Sequence, residues 1–178
     1  MSKTTTVTFA ERGFWALDDA LAVWLAYLVE EADRSDGAHD DPWCVRAREA
    51  WRVAAGIPQF GARIPRSTPE QLDRLLSTAA AARRRAQASG DLSLEHLRAW
   101  VMVDDLVVSD GFSRTGAVVE VIRVIEVADA FIALVDGTLP ADPPEGAWFV
   151  GCGRGYEVMP HRGGPFAAGQ PRFPHGAD

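Results

Sequence analysis

The chain has 178 residues, 47% apolar and 24% charged, the proportions of a globular domain with a real core and not of a disordered or membrane-embedded chain. Its net charge of −7 argues against a nucleic-acid surface and suits a basic partner. The longest apolar run, Ala20 to Val29, is too short to span a bilayer, and the first thirteen residues carry no apolar signal segment, so a cytoplasmic protein without membrane contact is expected.

Thr4–Phe9 is β-branched and roughly alternating, which predicts a short strand. A first helix is predicted from Phe14 to about Arg34. Phe14, Leu17, Leu21, Trp24, Leu25 and Leu28 form one face at helical spacing, and Asp19, Glu30, Asp33 and Arg34 leave only a narrow polar strip. Asp41 and Pro42 read as N-cap and first residue of a second helix that stops at Gly56, with Trp43, Ala47, Ala50, Trp51 and Ala54 on its apolar side. Thr68-Pro69-Glu70-Gln71 is a capping box opening a third helix. That helix buries Leu72, Leu75, Leu76 and Ala79, ends in Arg83-Arg84-Arg85 near the negative end of its dipole, and stops near Gly90.

Ser93–Phe112 is predicted as a fourth helix, apolar over most of its circumference, with two carboxylates, Asp104 and Asp105, in its middle. With Leu94 at zero on the wheel, Asp104 falls at about 280°, inside the apolar arc, and Asp105 at about 20°, at its edge beside Arg98. A core-facing Asp104 needs a cation or donors from another element, Arg48, Arg114 and Arg123 being the candidates, or else stays protonated. Gly116–Asp136 is predicted as a fifth helix, because Glu120, Arg123, Glu126 and Asp129 recur every third position rather than every second. After Gly137 the composition shifts to Pro and Gly. Trp148–Val150 and Tyr156–Met159 flank Gly-Cys-Gly-Arg-Gly and read as a hairpin whose outer edge pairs with Thr4–Phe9.

These elements predict a mainly all-α single domain over residues 1–160. Five helices carry a small C-terminal β-hairpin, paired to the N-terminal strand, and residues 161–178 form an irregular tail.

No catalytic signature is present. Cys44 and Cys152 lack metal-ligand spacing, Cys152 with His161 has no orienting third group, and Gly151–Gly155 does not lead into a helix as a phosphate loop must. Asp18-Asp19 repeats the aspartate doublet, but no helical Glu-x-x-His accompanies it, so no metal or cofactor is expected.

Two functional readings follow. The first is a small acidic protein-binding domain, a bacterial immunity or antitoxin-type inhibitor being one concrete form, docking on a basic protein through Asp33, Asp36, Asp40, Asp41, Asp142 and Glu145. The second is a small enzyme or ligand-binding protein with a cleft between the first, fourth and fifth helices. There Asp104, Asp105 and His96 act as acid/base groups and Trp100, Tyr27 and Trp24 line the pocket. The broadly apolar fifth helix also fits burial in a homodimer.

Overall fold

The structure, a computed structural model, describes residues 4–10, 12–34, 41–108, 118–140 and 149–150. It is mainly helical, with five α-helices and several short sheets among those residues, and so is mixed rather than purely α. Strand β1 (Thr4–Phe9) is where the alternation places it.

Arg12–Leu17 is strand β2, antiparallel to β1 with Phe9 opposite Arg12 and Thr4 opposite Leu17, and not the opening of a helix. Ala10 turns the chain with a left-handed φ of 52°. Phe14, Trp15 and Ala16 are all buried, so β2 is covered on both faces and reads as an unbroken apolar run. Such a run has no period to separate strand from helix.

Helix α1 begins only at Asp18 and continues to Arg34. Every residue from Ala20 to Val29 is buried, which makes it the central helix of the molecule. Helix α2 (Pro42–Gly56) and helix α3 (Pro69–Ser89) pack against it, as does helix α5 (Val121–Asp136). The shared core includes Trp24, fully buried and edge-on to Phe131 at 5.7 Å. Residues of this size each contribute roughly 1.5–3 kcal/mol when buried.

The predicted caps of α2 and α3 are in place. Asp41 accepts from the Trp43 amide at 2.8 Å, and Thr68 and Gln71 form the reciprocal box, with the Thr68 amide donating to Gln71 at 2.9 Å. Ala50, expected on the apolar side of α2, is exposed, and Gly56 is its last helical residue rather than the residue beyond.

A 3-10 turn at Pro58–Phe60 leads to strand β3 (Ala62–Ile64), which runs parallel to β1. Gly61 permits that approach: at its φ of 69° a Cβ would stand 2.6 Å from the Thr6 carbonyl oxygen. Strand β8 (Phe149–Val150) completes a sheet of order β3-β1-β2-β8. It pairs parallel with Trp15 and Ala16 of β2, so the C-terminal strand joins β2 and not Thr4–Phe9. The second limb of the expected hairpin, Tyr156–Met159, and residues 161–178 lie outside the described residues.

The fourth predicted helix is the largest correction. Among the described residues of this stretch only Leu94–Arg98 is α-helical (α4), preceded by the two-residue strand β4 (Leu92–Ser93). The chain then forms an antiparallel hairpin of β5 (Val101–Val103) and β6 (Leu106–Val107), closed at its base by the Val108 amide donating to the Trp100 carbonyl at 3.1 Å. Likewise Val118–Val119 is strand β7, paired with β4, and α5 starts at Val121 rather than Gly116. Glu120 occupies the N-cap position without a side-chain capping bond. Asp91, from beside β4, accepts from the Val121 amide at 2.8 Å instead. At the other end Arg12 donates to the Gly137 carbonyl at 3.2 Å and to that of Leu139, tying β2 to the end of α5. Among the described residues no helix is long and apolar enough to cross a membrane.

Candidate functional site

Asp104 and Asp105 form the turn between β5 and β6 and are both exposed. Asp104 has a left-handed φ of 49°. Short polar side chains tolerate that conformation because they hydrogen-bond locally, whereas β-branched residues do not. The placement of Asp104 inside a helical core is therefore wrong, and with it the carboxylate-lined cleft between the first, fourth and fifth helices. The proposed arginine partners have other work: Arg48 pairs with Asp33 at 3.0 Å and Arg123 with Glu120, while Arg114 lies outside the described residues.

His96 is exposed on α4. Its Nδ1 lies 3.0 Å from the Ser93 hydroxyl, which also caps the helix by accepting from the His96 amide at 3.5 Å. Its hydrogen bonds therefore run to Ser93, at the start of its own helix.

The three predicted pocket residues separate. Trp24 is sealed in the core. Tyr27 and Trp100 do meet, edge to face at 4.9 Å, within a polar cluster that joins α1, α3 and the base of the hairpin. The Trp100 indole donates to Glu30 Oε1 at 2.8 Å, and Arg85 donates to Glu30 Oε2 at 2.5 Å. The same guanidinium lies 3.7 Å from Glu31 and sits 5.7 Å above the Tyr27 ring. Burial pushes the Tyr27 phenol above its ordinary pKa, against the opposing pull of the Ser89 hydrogen bond and the Arg85 charge. Glu30 satisfies the Trp100 indole and Arg85 Nη2, while Arg85 Nη1 is buried without a hydrogen bond and only approaches Glu31. These contacts fix the start of the hairpin to the two longest helices.

The acids expected to face a partner divide in the same way. Asp33 holds Arg48 and Arg52, the latter at 2.6 Å. Asp41 caps α2 and reaches Arg74 at 3.2 Å; the Trp43 amide is the main cause of its lowered carboxyl pKa. Asp36, Asp40, Asp142 and Glu145 lie outside the described residues.

The sequence reading missed a cleft between α1, α2 and α3. It is floored by Trp43, Trp51 and Leu75, flanked by Cys44, Arg48 and Arg74, and holds about 370 Å³ of empty space, part of it open solvent. Arg74 touches the Cys44 sulfur at 3.6 Å as well as Asp41. Its only trace in the sequence is the tryptophan pair on the apolar side of α2. Among the described residues no three His, Cys, Asp or Glu side chains gather as a metal site would require. No family model, curated protein or solved structure matches the chain.

Proposed function

We propose that this protein is a non-catalytic binding domain that docks on a basic protein partner, an immunity or antitoxin-type inhibitor being its concrete form. The observation that carries the reading is the exposed position of Asp104 and Asp105 at a hairpin tip. A general acid/base gains its shifted pKa from burial and from charged neighbours. A carboxylate pair at an exposed turn is instead well placed to meet cations on another molecule. The net charge of −7 supports the same partner chemistry through long-range steering. The hairpin's base is anchored by Trp100, Glu30 and Arg85, so the tip is held in a defined position before any partner arrives.

The test is affinity capture from a lysate of the native host, read by mass spectrometry at low and high salt. The expected result is one stoichiometric basic protein, lost at high ionic strength, whose toxicity on separate expression is relieved by this chain. A lysate that yields no stoichiometric partner counts against the reading.

A further inference from the structure

The cleft between α1, α2 and α3 plays no part in the protein-binding reading. Trp43, Trp51 and Leu75 give it an apolar, largely aromatic floor. Among its described lining residues the charged groups are both cationic, Arg48 and Arg74, and no acid is present. That inverts the prevailing sign of a chain at −7. The partners of these arginines, Asp33 and Asp41, lie outside the lining. A space of about 370 Å³, part of it open solvent, is on the scale of a small molecule and not of a helix or strand.

Two sets of donors in this lining are not used by the fold. Trp43 and Trp51 stand edge to face at 6.5 Å, and Trp43 gives its indole N–H to the Arg66 carbonyl at 2.9 Å. The Trp51 indole N–H, on a residue only 3% exposed, has no acceptor. A buried donor left so destabilises the fold and is ordinarily met by a water, an ion or a ligand. The Trp24 indole shares the missing bond, but of the two only Trp51 lines the cleft. Arg74 reaches Asp41 and Cys44 through Nη1 alone. Its Nε and Nη2 hydrogens are left for another acceptor.

We infer that this cleft binds a small aromatic carboxylate. The carboxylate supplies the acceptors that Trp51 and Arg74 lack, and the ring matches the apolar floor. The other small ligands each leave part of the lining unmet. An inorganic anion has nothing to set against Trp43 and Leu75, a hydrocarbon strands the donors, and an organic cation meets two guanidinium groups.

The test uses the full chain, isotope-labelled, and three probes that differ in the reach from ring to carboxylate: para-fluorobenzoate, para-fluorophenylacetate and para-fluorophenylpropionate. Fluorine NMR follows the probe, and the indole N–H signals follow the protein, Trp51 being assigned by its loss in Trp51→Phe. At least one probe is expected to bind saturably with a Kd of about 1 mM or below and to move the Trp51 signal. The amine para-fluorophenethylamine is expected to bind at least about tenfold more weakly. Arg74→Gln should weaken the carboxylate about tenfold, and Arg84→Gln, at an exposed arginine of the same helix outside the cleft, less than about twofold. Thermal melts verify that both variants fold.

Failure of all three carboxylates to bind overturns the inference, as does equal binding of the amine or equal weakening by Arg84→Gln. A Trp51 signal that stays in place while a probe saturates also overturns it, since the buried donor is then met by water alone. None of these results bears on the protein-binding reading, which is tested by capture of a partner and not by these probes.

Discussion

Asp104 offers the sharpest test of the hairpin, because the two possible environments predict opposite signs. The perturbation is Asp104→Val set beside Asp104→Gly. At a φ of 49° an L-residue bears about 1–2 kcal/mol of strain, and aspartate recovers part of it by local hydrogen bonding. Valine recovers none and is β-branched. The side chain is exposed, so little packing changes with either substitution. Asp104→Val should then cost about 1 kcal/mol. Asp104→Gly should relieve about 1 kcal/mol of strain and lose about 0.7 to the greater freedom of glycine in the unfolded chain, leaving it near wild type. The Gly-to-Val gap of about 1.3 kcal/mol corresponds to about 3–5 °C in Tm for a domain of this size. Urea and thermal denaturation followed by circular dichroism measure it. If Val matches or exceeds wild type, the left-handed turn is refuted and a core-facing helical site is favoured, since there Val would replace a buried charge.

Four further outcomes test the cluster at the hairpin base and the α2 cap. Glu30→Ala leaves the Trp100 indole and Arg85 without their shared acceptor and should cost about 2 kcal/mol after allowing for partial exposure, whereas Glu30→Gln keeps an acceptor and should cost about half of that. A double-mutant cycle with Trp100→Phe should give coupling of about 1 kcal/mol, and strict additivity would show that the indole bond contributes nothing. The Tyr27 phenol titrates above its ordinary value, so the folded state holds its proton longer than the unfolded chain. The resulting stability is complete below about pH 10 and declines as pH rises through the folded pKa; Tyr27→Phe should abolish that decline in alkaline denaturation curves. Asp41 has the opposite sign: its lowered pKa makes stability complete above the ordinary carboxylate range and lost as pH falls through the folded value. Asp41→Asn keeps a capping acceptor without the charge and should flatten the acid limb of the curve, and an unchanged limb would disprove the link.

Much of the candidate surface was present in the sequence under another reading. Val101-Met102-Val103-Asp104-Asp105-Leu106-Val107 has the form of two β-branched runs around a pair of turn-forming aspartates, the signal of a short hairpin. The helical wheel absorbed it because an almost continuous apolar segment fits every period. The same ambiguity extended the first helix back to Phe14 and the fifth to Gly116, in each case over residues that pair as strands. The acids proposed for docking illustrate a different limit. A string of letters identifies Asp33 and Asp41 as charged, but not that Arg48, Arg52 and Arg74 approach from other helices and neutralise them.

What the sequence determined by itself is what depends on neighbours within a turn or two of the chain. The caps at Asp41 and Thr68, the long apolar stripe of α3, the buried run of α1 and the β-branched alternation of β1 are of this kind, because caps, propensity and helical periodicity act over three or four residues. What only the tertiary structure decided is where an apolar segment finds its hydrogen bonds. Trp15 and Ala16 pair with residues 149 and 150, and Val119 pairs with Leu92. Trp100 is drawn to Glu30, seventy positions away. A backbone amide must be satisfied, but neither a helix nor a ladder is chosen until the partner strand is in reach. The aspartate doublet lies at an exposed turn for that reason, since the segments on either side of it pair with each other instead of continuing as a helix.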